Sequence, residues 1–372
     1  MSGVQLFWLV ATFDLGMALF VMLAPSVKIA QRDAWLSDVL ATLCSMLIMY
    51  AIMRVSLRHP DLTMVDYMPV ILGKWIGLPL AVLMLSHWTA VTGIIVRQTT
   101  DVLITSVYHQ TPVWMFVLTI IALAIYASHQ GDVQAISRLT FLLGPVIAVA
   151  LVGPMIANVP NIQFARLLPV YAASGPAKII AGAVPTYGFL GQAILVGMFT
   201  PMVQHPSRMT RYAVAGVAVS GAVLIMGAVM VVGLFGAELP TRMWNPFLDA
   251  IRYISIAGVF EKFDAIIVLA WFMSAFIRIS AFLYVSAYGW ARLFHMRNWR
   301  VLLWGLGVID AMVALWPHNI VSTFVTWIQT VHEPIAIPVL LTATPLLLWV
   351  VSALRGRLGK GRGQAKQKAR RL

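Results

Sequence analysis

The sequence contains little charge and a single cysteine. Charged residues make up 10% of its 372 positions and hydrophobic residues 60%, whereas soluble domains average about 25% and about 45–50%. A soluble protein could not cover so much apolar surface with so few charges, so that class is excluded. The one cysteine, Cys44, excludes a disulfide within the chain. Its place inside an apolar run predicts a role in helix packing.

Sequence patterns of enzymes are also missing. The chain contains no HExxH, CxxC, Walker or Gly-x-Ser-x-Gly motif, and each of these motifs supplies a nucleophile, a metal ligand or a phosphate cradle. The few polar residues inside apolar runs are scattered over different runs. The sequence therefore predicts a protein that is not an enzyme, with no metal and no cofactor.

Ten long apolar stretches, separated by short polar hinges, take up nearly the whole chain. An α-helix needs ~20 residues to cross a ~30 Å hydrocarbon core. The first five residues contain no Lys or Arg, so we interpret the first stretch as a retained helix and not as a signal peptide. We predict an all-α membrane protein, with one bundle over residues 1–354 and a basic tail over 355–372. The predicted spans lie at about 6–30, 35–54, 75–104, 113–128, 138–157, 178–200, 211–235, 260–292, 301–317 and 332–354.

Basic residues are distributed unevenly between the two sides of this predicted bundle. With both termini in the cytoplasm, 17 of the 26 Lys and Arg residues and 3 acidic residues fall inside, against 8 basic and 8 acidic residues outside. Loops rich in Lys and Arg stay in the cytoplasm, so this orientation is predicted. The tail 355–372 is then an anchor attracted to anionic membrane lipid, and no nucleic-acid partner is predicted. Binding of an acidic partner by the tail stays open.

Two predicted spans contain residues that interrupt helices. The first has Asp14-Leu15-Gly16 at its middle and Ala24-Pro25 further on, and the sixth contains Gly182–Gly191. These places correspond in two halves of five spans, about 6–157 and 178–354. Paired breaks of this kind indicate an inverted-repeat transporter with a binding site at the membrane midplane. The alternative is that Gly and Pro are simply common in membrane helices.

A short amphipathic helix is predicted over about 245–258. Phe247 and Ile251 recur at helical spacing, and Asp249 and Arg252 lie on the other side of the same helix. A helix with this pattern lies in the membrane interface. We expect it on the outer surface, as a lid over a cavity.

The segment from Asn245 to Phe294 contains the most distinctive sequence patterns, which are Arg252-Tyr253-Ile254-Ser255-Ile256, Phe260-Glu261-Lys262-Phe263-Asp264-Ala265, Trp271, Arg278-Ile279-Ser280, Tyr284 and Leu293-Phe294. In these residues the chain resembles the spore germination permease family, the B subunits of nutrient germinant receptors in endospore-forming bacteria. The opening Ser2-Gly3-x-Gln5, Leu168-Pro169-Val170 and the basic tail are similar to that family too. Arg278 is a departure, since this position is often Lys in the family.

The resemblance implies a fold and a cellular context. The fold is that of the amino acid–polyamine–cation transporter superfamily, a LeuT-like bundle of ten helices in a five-plus-five inverted repeat, with helices one and six broken. The context is the spore inner membrane, with a receptor A subunit and a lipoprotein C subunit as partners. A small nutrient, such as an amino acid, is the implied ligand.

Arg278 is the strongest candidate for a binding residue. It lies near the middle of the eighth predicted span, where a charge costs at least ~2.5–3.5 kcal/mol unless it faces a partner or a cavity. Its guanidinium stays charged and forks onto carboxylates, so one role is to clamp the carboxylate of the ligand. The alternative is a structural ion pair with Asp14, which lies at matching depth. Both roles are compatible, and we expect the two side chains within salt-bridge distance.

Further candidates come from the predicted breaks and from isolated polar residues. His87 in the third span is a candidate for ligand contact or proton handling, although a hydrogen-bonded packing histidine is an equal alternative. We assign no role to Asp310. The predicted ligand site comprises Asp14, Gly16, Met17, His87, Tyr187, Gly188, Phe189, Arg278 and Tyr284.

Two functions remain open at this point. One is a receptor subunit that binds a nutrient and triggers germination, and the other is a proton- or ion-coupled amino-acid symporter. The fifth span, Arg138–Asn158, contains no Lys, and Lys in that span is one proton-coupling device of the superfamily. Arg278 does not readily release a proton either. Both facts favour the receptor.

Overall fold

The computed structural model describes residues 1–106, 108, 110–171, 174–252, 263–316 and 328–355, and within them the chain is helical with no β-strand. A 3-10 segment (Gly191–Met202) follows α7, and a segment of π-type turns (Ile328–Ala343, the π segment) continues as α-helix to residue 355. The α-helices are α1 (Gly3–Val21), α2 (Leu23–Ala30), α3 (Ala34–Ser56), α4 (Met64–Leu72), α5 (Lys74–Ser106), α6 (Val113–Ala157), α7 (Gly175–Leu190), α8 (Pro206–Phe235), α9 (Pro246–Arg252), α10 (Phe263–Leu293) and α11 (Arg300–Leu315).

Most predicted spans agree with these helices to within about five residues, but the predicted spans 113–128 and 138–157 form one continuous helix, α6. In the described part of the chain, nine helical stretches are long and apolar enough to cross a membrane. α6 has 45 residues and supplies two of these stretches, 113–131 and 133–161. α11 is shorter, with 16 residues, and corresponds to the predicted span 301–317.

Local side-chain chemistry fixes two helix starts. Ser2 accepts a hydrogen bond from the Gln5 amide while the Gln5 side chain accepts one from the Ser2 amide, so α1 begins with a capping box. Thr63 and Asp66 form a second capping box at the start of α4. α4 is missing from the predicted spans because nine residues are too few to cross a bilayer. Asp66 also accepts from Arg292 of α10 at 3.0 Å, which ties α4 to the bundle.

The first and sixth spans are interrupted near Ala24-Pro25 and at Gly191, as predicted, but not at Asp14-Leu15-Gly16. Asp14-Leu15-Gly16 lies in the regular part of α1, and the helix breaks at Met22, between α1 and α2. Pro25 explains this position, because it has no N–H to continue the α1 hydrogen-bond pattern. In the sixth span, Gly182–Leu190 stays α-helical and the chain tightens into 3-10 turns from Gly191.

Proline also makes the last span irregular. Pro334 and Pro338 lie inside the π segment, and each removes a backbone donor from the helix. The hydroxyls of Thr342 and Thr344 donate to carbonyls five residues back, Ile337 at 2.9 Å and Val339 at 2.8 Å. Wide turns of this type are frequently found at functional sites.

Small residues of α8 allow close packing in the centre of the bundle, as their pattern predicts for membrane helices. A Cβ added to Gly216 would meet Val10 of α1 at 2.7 Å, and one added to Gly221 would run into Thr42 of α3. Cys44 lies on the opposite side of α3 and is exposed. This exposure does not agree with its predicted role in helix packing.

The predicted amphipathic helix is described in its first half only. α9 buries Phe247 and Ile251, and the Phe247 ring packs edge-on against Phe20 of α1 at 5.6 Å. Asp249 and Arg252 form an exposed ion pair at 3.7 Å. The predicted residues 253–258, like the tail after residue 355, lie outside the described residues.

Candidate functional site

Arg278 lies in the middle of α10 with its side chain fully buried. One terminal nitrogen donates to a carboxylate oxygen of Asp14 at 2.5 Å and to the carbonyl of Phe13 at 3.0 Å. Asp14 is also fully buried. The predicted pairing of these two residues is therefore confirmed, and it joins the eighth span to the first.

The other terminal nitrogen of Arg278 reaches the sixth span. It donates to the side-chain oxygen of Gln192 at 2.7 Å and to the carbonyl of Phe189 at 3.3 Å. Both acceptors lie where α7 changes into the 3-10 segment. The α-helical pattern ends there, so backbone carbonyls become available to side chains. One guanidinium thus connects both interrupted spans.

Aromatic rings enclose the same guanidinium. Its central carbon lies 3.8 Å from the ring centre of Phe189, 4.2 Å from that of Phe13 and 5.6 Å from that of Phe282. Cation–π contacts of this kind contribute on the order of 2 kcal/mol each when they are desolvated. The rings exclude water, which strengthens the ion pair and makes loss of either partner costly.

Two polar atoms of the pair have no hydrogen-bond partner in the described structure, namely the second carboxylate oxygen of Asp14 and Nε of Arg278. Buried polar atoms are normally satisfied by protein or by water. These two atoms leave one acceptor and one donor available to a further polar group. These atoms make the cluster a candidate binding site, and among its described residues there is no nucleophile with an adjacent base.

A second cluster lies directly beside the first, because Gly188 precedes Phe189 in the chain. The rings of His87 and His332 stack at 5.3 Å with their planes 12° apart, and both side chains are only 7% exposed. A Cβ on Gly188 would lie 3.0 Å from His332 and would run into Ile337. The π segment therefore covers the backbone of α7 at this position.

Tyr187 belongs to the same contact between α7 and the last span. Its hydroxyl lies 2.7 Å from the Thr342 hydroxyl and donates to the Leu341 carbonyl at 3.3 Å. Tyr187, Gly188 and His87 thus lie together as predicted. Gly188 belongs to the predicted ligand site, but Ile337 fills the space beside it. In this conformation a bulky residue at position 188 would therefore disturb the packing of α7 against the π segment.

Three predicted residues lie elsewhere. The Gly16 amide donates to the Ser274 hydroxyl at 3.1 Å, and a Cβ there would meet Ser274 at 2.7 Å, so Gly16 serves the contact of α1 with α10. Met17 is buried in the apolar core. The Tyr284 ring packs with those of Tyr288 and Trp299 at 5.9 and 4.9 Å. Tyr284 lies more than a helical turn after Arg278, whose guanidinium points towards α1 and α7.

The predicted ligand site does not include Gln192, His332 or Asp38. Gln192 is a lone polar residue in the apolar sixth span, and His332 opens the predicted tenth span. Asp38 falls within the predicted span 35–54, although we counted it with the outer loops. In each case a polar residue within a span boundary was the available signal.

Comparison with known proteins identifies the family of this chain. The sequence model of the family described as spore germination protein matches residues 1–323. The chain belongs to this family. It is 23% identical to spore germination protein YndE of Bacillus subtilis over 87% of this chain and 88% of that protein. It is 24% identical to spore germination protein A2 of the same organism over 94% of both.

The fold has solved relatives as well. The crystal structure of MhsT in complex with L-phenylalanine aligns with a TM-score of 0.66, covering 93% of this chain and 87% of that one at 15% identity. At this identity the likeness shows the fold alone. It establishes the predicted fold class for this family member, an all-α, LeuT-like membrane protein with interrupted first and sixth helices. The chain is an integral membrane protein with nine apolar spans among its described residues.

Proposed function

We propose that this chain is the nutrient-binding B subunit of a spore germinant receptor. It binds a small nutrient, an amino acid in the first instance, between the interrupted spans and triggers germination together with A and C subunits in the spore inner membrane. Both termini face the cytoplasm in this proposal. Membership of the spore germination family supports the setting, and the Arg278 cluster supports the binding site.

The contacts of Arg278 are the main support for this proposal. Arg278 contacts both interrupted spans through Asp14 and Gln192, so a ligand that enters here acts on both halves of the bundle at once. A ligand ammonium can meet the free oxygen of Asp14, and a ligand carboxylate can meet Nε of Arg278. Phe189 then lies against the side chain of the ligand. Binding energy at such a junction shifts the balance between conformations.

Arg278 is fully buried, so this conformation is closed. Ligand entry requires the π segment to move away from Gly188, where Ile337 and His332 now lie. His87 and His332 are then exposed to the same cavity. The receptor alternative and the symporter alternative share this step, and they differ in whether the nutrient leaves on the other side.

The proposal is tested in spores that lack other receptors and express this chain with its A and C subunits. Phe189→Leu removes the ring that lies on Arg278. We expect the nutrient concentration for half-maximal germination to rise about tenfold, which corresponds to ~1.4 kcal/mol. The matched control is Phe141→Leu, since Phe141 is 51% exposed. If both variants and the wild type germinate at the same nutrient concentration, Phe189 is not part of the binding site.

Purified chain provides the direct measurement. A bound ligand stabilises the folded state by RT ln(1 + [L]/Kd), so thermal unfolding against a panel of amino acids identifies the ligand, and Phe189→Leu lowers the shift. Uptake of the identified amino acid by proteoliposomes separates the alternatives. Concentrative uptake by the isolated chain favours the symporter, and binding without uptake favours the receptor.

A further inference from the structure

A second buried carboxylate lies away from Arg278, at the junction of α2, α3 and α7. Asp38 is on the second turn of α3 and has no exposed surface. One of its oxygens accepts from the Ser26 hydroxyl of α2 at 3.0 Å and from the Thr186 hydroxyl of α7 at 2.9 Å. Its other oxygen, Oδ2, is buried without a hydrogen-bond partner.

Asp38 forms no ion pair in the described structure. The basic residues on the helices that pack against it are Lys28 of α2, Lys178 of α7, and Arg208 and Arg211 of α8, and all of these are exposed. In the turn before α3, Arg32 donates to the Leu168 carbonyl at 2.6 Å and Asp33 accepts from the Tyr171 amide at 2.9 Å. The 3-10 segment that packs on α3 has no charged residue.

An ionised carboxylate in this place would be a net charge inside an apolar bundle. Such a group loses several kcal/mol of hydration, which two hydroxyl donors do not restore, and it becomes neutral instead. The unpartnered Oδ2 is the atom on which a proton fits. The two hydroxyls on the other oxygen tie α2 and α7, one helix from each interrupted span, to α3.

We propose that Asp38 is a proton-binding site of this protein. Its Oδ2 carries a proton in the closed conformation, and release of that proton to water leaves a carboxylate that must be hydrated. Hydration separates α2 and α7 from α3, so proton binding favours the closed bundle. This site is independent of the nutrient site around Arg278, and either assignment can fail without the other.

Infrared spectroscopy of the reconstituted full chain tests the proton directly. A protonated carboxyl absorbs separately from a carboxylate, and Asp38→Asn removes the Asp38 band while an oxygen remains for Ser26 and Thr186. We expect the wild-type minus Asp38→Asn difference to contain a protonated carboxyl band at neutral pH that disappears as pH rises. A difference spectrum without that band overturns the proposal. Asp310→Asn is the control for another buried acid, and its spectrum retains the Asp38 band.

The same titration distinguishes a proton from a metal ion. It is carried out once with sodium chloride and once with a bulky organic cation in place of sodium. An identical Asp38 band in both media supports the proposal that Asp38 binds a proton. A band that is lost only in sodium assigns the site to a sodium ion and overturns the proposal.

A second variant keeps the test valid if Asp38→Asn does not fold. Ser26→Ala removes one hydroxyl donor, and a hydroxyl that donates to a carboxylate stabilises the charged form. We expect the pH midpoint of the Asp38 band to rise by about one unit. An unchanged or lower midpoint contradicts the assignment.

Amide hydrogen exchange tests whether proton release separates the helices. The exchange rates of residues 23–30 and 175–186, corrected for intrinsic rates, should rise with pH in the wild type. An equal rise in Asp38→Asn refutes the link between Asp38 and helix separation.

Discussion

Asp14 of α1 and Asp38 of α3 are the same residue type at zero exposure, yet their surroundings differ in kind. Asp14 meets a guanidinium at 2.5 Å, whereas Asp38 meets only two hydroxyls. The first carboxylate is neutralised by a counter-charge that is covalently part of the protein. The second has only a mobile proton available. A fixed pair is insensitive to pH over the physiological range, and a proton site is not.

The largest expected effect comes from breaking the fixed pair. Arg278→Gln leaves Asp14 as an uncompensated charge in the core, which should lower the stability of the purified chain by about 3–5 kcal/mol. Thermal unfolding in detergent measures this change. The matched control is Arg292→Gln, because Arg292 pairs with Asp66 with 46% of its side chain exposed, and surface pairs contribute about 0–1 kcal/mol. Equal losses in the two variants would show that burial does not govern the Arg278 pair.

A smaller effect follows when both members of the pair are neutralised. Asp14→Asn with Arg278→Gln removes both charges and retains side chains that can hydrogen-bond. We expect recovery of about 2–3 kcal/mol relative to Arg278→Gln alone, since contacting residues are coupled by up to about 3 kcal/mol. The double-mutant cycle of unfolding free energies provides the value. Additive losses would mean that the two charges do not stabilise each other.

How much of this arrangement the sequence predicted depends on the range of the interaction involved. Apolar length alone predicted the spans, and the mid-span positions of Asp14 and Arg278 predicted their pairing, because unpaired charges are excluded there. Pro25 and Gly191 marked the two helix breaks, whereas Asp14-Leu15-Gly16 stayed helical, since the packing of α1 against its neighbours is not contained in the pattern of a single span. The contacts of His332 with His87 and Gly188 depend on how the last span packs, which single-span patterns do not contain.

The pH dependence of stability sharpens the comparison further. If Asp38 is protonated in the folded protein and ionised in the unfolded chain, folding takes up a proton, so stability falls as pH rises above about 4. The slope is up to about 1.4 kcal/mol per pH unit. Asp38→Asn should flatten the curve of unfolding temperature against pH, and the double variant at 14 and 278 should not. A constant offset between wild type and Asp38→Asn would refute the prediction.

The smallest expected effect isolates one hydroxyl of the Asp38 junction. Thr186→Val keeps the side-chain volume and shape but removes the hydrogen bond of 2.9 Å to Asp38, so it should destabilise the chain by about 1 kcal/mol. Thr200→Val is the matched control, because Thr200 is equally buried but donates to the Gly197 carbonyl of its own segment at 2.8 Å. Both variants lose one hydrogen bond, so their stabilities at low pH should be similar. Only Thr186→Val leaves a buried acid with one donor fewer, so its loss should change with pH while that of Thr200→Val stays constant. Parallel curves for the two variants would mean that Thr186 only contributes to packing and that the Asp38 oxygen never carries charge in the folded bundle.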